Sequence, residues 1–208
     1  MIHGVAFPIS AGVLGLALLA GKLAQDGTAY FPRSLHEATV TCTWSNRTFG
    51  KAAMNDHRAA WYGSHLHAAG ETPIFDSPTR TLRFTWLRTF HEPVIVRVDM
   101  PAGGAALITA TELSGKGGYT PGGVARRVER RLSVEETASL ARTLDETDAL
   151  AQPPTGCELG ADGAQWILES TGPGGYVFVD EWTPRDGPVR ALGLHLIELT
   201  GWSYDRVY

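Results

Sequence analysis

LRFTWLRTFHEPVIVRV, residues 82–98, alternates apolar and polar side chains on either side of a short break. Leu82, Phe84 and Trp86 fall on one side of an extended chain and Arg83, Thr85 and Leu87 on the other, because successive strand side chains point to opposite faces. A turn-like stretch from Thr89 to Pro93 follows, and Val94 to Val98 then resumes the strand. That spacing predicts an antiparallel hairpin.

Working outward, the same logic assigns most of the chain. Downstream, Pro101 to Gly104 is a turn, Ala105 to Leu113 a third strand, Ser114 to Gly123 a glycine-rich loop and Val124 to Leu132 a fourth strand. Ser133 followed by Glu136 is a capping box, in which each side chain satisfies a free backbone N–H of the other residue at a helix start. Val134, Ala138, Ala141 and Leu144 supply that helix with an apolar stripe. A second hairpin runs from Gln165 to Glu169 and from Tyr176 to Trp182 around Gly172–Gly175. A last helix begins near Pro188, where the missing N–H of proline is harmless. Upstream, Thr39 to Trp44 alternates as a strand, and Lys51 to Ala69 reads as a helix ended by Pro73. Consecutive strands joined by short turns favour antiparallel pairing. The expected fold is α+β: one antiparallel sheet of about six or seven strands with helices packed on one face.

The 208 residues are 43% hydrophobic and 19% charged, with a net charge of −4. This is globular composition, and the charge argues against a general binder of nucleic acid. Two regions are expected: residues 1–29 as an apolar N-terminal segment and residues 30–208 as a single domain. VAFPISAGVLGLALLA (residues 5–20) has the length of a signal-peptide core and is slightly short for a membrane span. It predicts export to the periplasm or anchoring in the membrane. The competing reading is a packed helix in a cytoplasmic protein, because the first residues carry no Lys or Arg. Cys42 and Cys157 can form one disulfide if the chain is exported. No second Cys or His lies at ligand spacing from either, so no metal site is expected, and no cofactor motif is present.

Candidate chemistry is sparse. His57, His65 and His67 sit in one predicted helix, and helical rise separates the first two by about 12 Å, too far to share a metal. Asp162, Glu169 and Asp180 cluster around the second hairpin and, with His91 or His195, are the candidates for acid/base chemistry. Whether Glu169 meets Asp180 depends on a register that the sequence leaves open. Arg126, Arg127, Arg130 and Arg131 lack the interleaved aromatics of a nucleic-acid face and read as a charged edge strand. Trp86, Trp166, Tyr176 and Trp182 lie on strands. Most such side chains form core, but any exposed pair would make a binding platform, with Asp180 in the row of Tyr176 and Trp182.

FTWLRTFHEPV (84–94), DGAQWILE (162–169), GGYVFVDEW (174–182) and TPRDGPVRALGLHLIELTG (183–201) together resemble a family of bacterial domains with no assigned activity. The resemblance spans about residues 80–202 and implies no catalytic residue. The expected function is a non-catalytic binding or structural domain of the bacterial envelope, with a protein or cell-envelope component as partner. Membrane contact would be through the N-terminal segment alone. A hydrolase and a cytosolic inhibitor or immunity-type protein are the alternatives.

Overall fold

The computed structural model describes residues 30–208. The apolar N-terminal segment lies outside the described residues, and so does the choice between signal peptide, anchor and packed helix. Among the described residues no helix is long and apolar enough to cross a membrane. In chain order the elements are α1 (Ser34–Glu37), β1 (Thr39–Trp44), β2 (Arg47–Ala52), α2 (Asp56–Ala68), β3 (Arg80–Arg88), β4 (Val94–Met100) and β5 (Leu107–Leu113). There follow β6 (Val124–Arg131), α3 (Val134–Thr147), β7 (Ala164–Thr171), β8 (Val177–Trp182) and α4 (Pro188–Leu199).

The fold is α+β. A six-stranded sheet runs in the order β6-β5-β4-β3-β7-β8, and every neighbouring pair is antiparallel. The hairpin of residues 82–98 forms as its alternation predicts, with Leu82 opposite Val98, Phe84 opposite Val96 and Trp86 opposite Val94. β7 docks on the free side of β3, which puts Trp166 opposite Trp86. β1 and β2 form a separate two-stranded ribbon.

Each face of the large sheet has its own cover. Leu82, Phe84, Trp86, Trp166 and Leu168 point to one face and pack with Leu140 of α3 and Leu192 and Leu196 of α4. Here the helices share one side, as expected. The chain comes close enough for Gly193 of α4 to touch Trp166; a Cβ at that glycine would lie 2.6 Å from the indole. The opposite face carries Leu87, Ile95, Ile167 and Phe178, and packs with Phe31, Met54, Tyr62 and Leu66. Tyr62 and Leu66 belong to α2, so this helix adds cover on the second face.

Local signals explain the element ends. Ser133 Oγ accepts from Glu136 N–H at 3.1 Å and Ser133 N–H donates to Glu136 Oε2 at 2.8 Å, completing the capping box. Arg130 also donates two hydrogen bonds to Glu136, and these hold its carboxyl at about 2. α2 begins at Asp56, five residues later than the helical pattern predicts. Lys51 and Ala52 instead pair with Val40 and Thr39 in the ribbon, and Asn55 caps the helix by accepting from Arg58 N–H at 2.9 Å. The ribbon turns at Ser45 and Asn46, whose φ values of 47° and 63° fit the left-handed pair that two-residue hairpins need. Cys42 of the ribbon is bonded to Cys157, which follows α3 in the chain.

Candidate functional site

The sheet face beneath α2 carries ionised groups that a core would ordinarily exclude. Arg83 is fully buried and makes two hydrogen bonds of 2.8 Å to Glu169, whose Oε1 also accepts from Tyr176 OH at 2.8 Å. Glu71 accepts from Arg97 at 2.8 Å and lies 3.6 Å from Arg83, and Arg97 reaches Asp99 at 3.0 Å. Each carboxylate is therefore matched by a guanidinium, the condition for burying charge without a large desolvation penalty. Burial, reinforced by Glu169, drives the Tyr176 hydroxyl well above its usual pKa.

A second group lies one step along the same face. Asp180 is buried and accepts from Arg58 Nη1 at 3.2 Å and from Tyr62 OH at 3.0 Å, both through Oδ2. The Gln165 amide, turned so that its nitrogen donates, reaches Asp180 Oδ1 at 2.7 Å. Burial pushes the Asp180 carboxyl up, while the Arg58 charge and the Tyr62 hydrogen bond pull it back. Lys51 is lowered by burial and partly restored by Asp180. It donates to Gly156 O at 2.5 Å.

Above this second group a groove of about 850 Å³ opens between α2, the glycine-rich loop and residues 158–165. That volume lies within the range of about 300–1,000 Å³ typical of ligand sites. Its aromatic lining is Trp61, Tyr119 and Trp182, and its polar lining includes Lys51, His57, Arg58, Glu158 and Gln165. Backbone holds two of these rings, Trp61 and Trp182, in place. Trp61 Nε1–H donates to Gly117 O at 2.7 Å. Gly117 packs so tightly on the backbone of Leu87 and Arg88 that a Cβ there would fall 2.5 Å from Arg88 N, which is why this loop is glycine-rich. His65, buried between α2 and the loop, donates from Nδ1 to Trp61 O at 2.9 Å, and burial lowers its pKa. Trp182 rests on residues 160–163; a Cβ on Gly160 would lie 2.1 Å from its Nε1 and one on Gly163 would lie 2.8 Å from its Cζ2. Tyr119 is 62% exposed and stands beside Phe90 with ring centroids 6.1 Å apart.

These positions correct the expected platform. Trp86 and Trp166 are fully buried under the face that α3 and α4 cover, and both indoles donate to Tyr208 O, at 3.2 and 3.1 Å. They form core and cannot present a surface. Tyr176 is half-buried with its hydroxyl spent on Glu169. Of the expected binding residues, Trp182 lines the groove and Asp180 lies beneath it. The carboxylates do not form a pair either. Asp180 stands opposite Ile167 and Glu169 opposite Phe178, and each is held by its own arginine. Asp162 is exposed in a loop. His91 contacts Tyr208 OH, and His195 lies on α4 with Nδ1 3.5 Å from Glu198. Strand alternation could not find Trp61, Tyr119, Lys51 or Arg58, because they come from a helix, a loop and the ribbon. Tryptophan beside histidine on one turn of α2, facing a glycine-rich loop, was the available signal.

Among the described residues, no group of three His, Cys, Asp or Glu side chains is arranged to hold a metal ion. What fold and site define is an α+β domain with one face sealed by helices and an open aromatic-polar groove at the margin of the other. The chain matches no family model and is similar to no curated protein.

Proposed function

We propose that the protein is a non-catalytic binding domain of the bacterial envelope and that its partner lies in the groove lined by Trp61, Tyr119 and Trp182. The groove is the observation that carries this reading: Trp61 and Trp182, each fixed by backbone contacts, and the exposed ring of Tyr119 flank it, with charged and amide side chains between them. Fixed aromatics lose little conformational freedom on binding, so a large share of their contact energy goes to affinity. The Cys42–Cys157 bridge supports an exported location, since disulfides persist in oxidising compartments and are rare in the cytosol. It weighs equally against a cytosolic inhibitor. The hydrolase reading has less support. Glu169 is buried and fully engaged, Asp180 has three donors, and His195 belongs to the helix on the other side of the sheet.

Cosedimentation tests the proposal. The chain should pellet with insoluble bacterial cell-wall material or with washed envelope membranes, and Tyr119→Ala should pellet less. Retention by neither fraction, or equal retention of the variant, would refute it. Mass spectrometry of the mature N-terminus from whole cells tests the location: an intact start in a cytosolic fraction would remove the envelope from the proposal.

A further inference from the structure

The groove's chemistry narrows the class of ligand. Its ionised lining consists of Lys51, Arg58 and Glu158, with Asp180 beneath in contact with Arg58: two cations against two carboxylates. A site for a polyanion or a polycation would concentrate one sign. Nor does the groove suit an extended peptide. Strand addition needs a free sheet edge. On the nearer edge, β8, the Asp180 carbonyl already accepts from Gly156 N–H at 2.9 Å. The other edge, β6, is lined by Arg126, Arg127, Arg130 and Arg131 at the far side of the sheet.

What remains is a ligand with flat apolar surfaces and uncharged hydrogen-bonding groups on the same unit. A pyranose ring has that character: its C–H face packs on an aromatic ring and its hydroxyls seek amides, imidazoles and carboxylates. Three rings in one groove fit successive sugars of a chain. Exposed His57, exposed Glu158 and the Trp182 indole N–H, which makes no hydrogen bond among the described residues, stand among them. Leu159, 67% exposed on the same rim, adds apolar contact.

We infer that the groove binds an uncharged carbohydrate chain, with Trp61, Tyr119 and Trp182 as stacking surfaces and His57 and Glu158 as hydroxyl partners. This rests on the binding-domain reading above and specifies its ligand. The test uses the full chain and two neutral probes, chitotetraose and cellotetraose, followed by NMR of the indole N–H signals and by calorimetry. At least one probe should shift the Trp61 and Trp182 signals with millimolar or tighter affinity. Trp182→Ala should weaken binding roughly tenfold or more, the loss expected of a central aromatic contact. Tyr119→Ala, at an exposed loop position where folding is unaffected, should weaken it severalfold, and Trp202→Ala, outside the groove, should leave it unchanged. No shift with either probe at millimolar concentration overturns the carbohydrate assignment. So does binding that Tyr119→Ala and Trp182→Ala leave intact. If the chain still sediments with envelope material in a Tyr119-dependent way, the binding domain stands and the ligand class falls; if that is lost too, both fall.

Discussion

The two faces of the central sheet solve the same packing problem with opposite materials. Beneath α3 and α4 the sheet presents Leu82, Phe84, Trp86, Trp166 and Val96, and the cover is equally apolar. Beneath α2 it presents Arg83, Arg97, Glu169 and Asp180 among Ile95 and Ile167. Thr85, Thr109 and Thr111 add buried hydroxyls there that find no partner among the described residues. An apolar face is tolerant in detail, since any well-filled packing removes area from water. A face of paired charges is intolerant, since each buried ion depends on named partners of opposite charge. The groove borders the intolerant face, and Arg58, Tyr62 and Gln165 connect the two through Asp180. The polar face thus fixes the geometry of α2 and β8, and with it the positions of Trp61 and Trp182.

The sharpest way to break this contrast is to delete one element from each face. Arg83→Met leaves Glu169 buried without its guanidinium and should lose about 3–5 kcal/mol in urea unfolding. Trp166→Ala on the other face should lose a similar amount, about 3–5 kcal/mol, through the cavity it leaves. The faces should differ in rescue. Adding Glu169→Met to Arg83→Met should recover much of the loss, whereas no single change of an ionisable residue should repair Trp166→Ala. Additive losses in the Arg83–Glu169 double variant would mean that the two faces are energetically alike.

A smaller effect is expected at the bridge. Replacing Cys42 and Cys157 by serine together should lower stability by about 2–4 kcal/mol, because the disulfide closes a long loop. Hydrogen exchange should also quicken at residues 158–160, the groove wall next to Cys157, and stay unchanged in β3. Unchanged exchange at the wall would detach the bridge from the groove.

The smallest effect concerns acid. Burial lowers His65 below its usual 6.5, and burial with the Arg88 charge lowers His91. A depressed pKa means that the neutral form contributes stability above the ordinary value, and that this contribution falls away as pH drops from 6.5 towards the folded pKa. For buried His65 the loss is bounded by about 1.4 kcal/mol per pH unit. His65→Asn should flatten the thermal-stability profile between neutrality and mild acid. An identical slope in wild type and variant would show that His65 takes no part in it.

The sheet was legible because alternation is a local property. Leu82 to Val98 and Gln165 to Trp182 each carry it within one hairpin, and Ser133 with Glu136 announces α3 in four residues. β2 was not legible: Arg47-Thr48-Phe49-Gly50-Lys51-Ala52 has no alternation, and its strand character comes from pairing with β1. The helical stripe through Met54 and Trp61 then ran backwards over it. The candidate site was harder still. Alternation placed Trp86 beside Leu82 and Phe84 and Trp182 beside Asp180, which is correct, but it does not say which face a helix will cover. The groove gathers residues from positions 51–64, 89, 118–119 and 158–182, and no pattern within one segment reports that meeting.

The Cys42–Cys157 link spans a sequence separation of 115 residues, so one continuous covalent ring encloses α2, the first four strands of the sheet and α3. A protease that cuts once at any exposed loop inside that ring opens the backbone without freeing a fragment. A nicked molecule would gain only the mass of one water, come apart into two pieces only after reduction, and still hold both walls of the groove together.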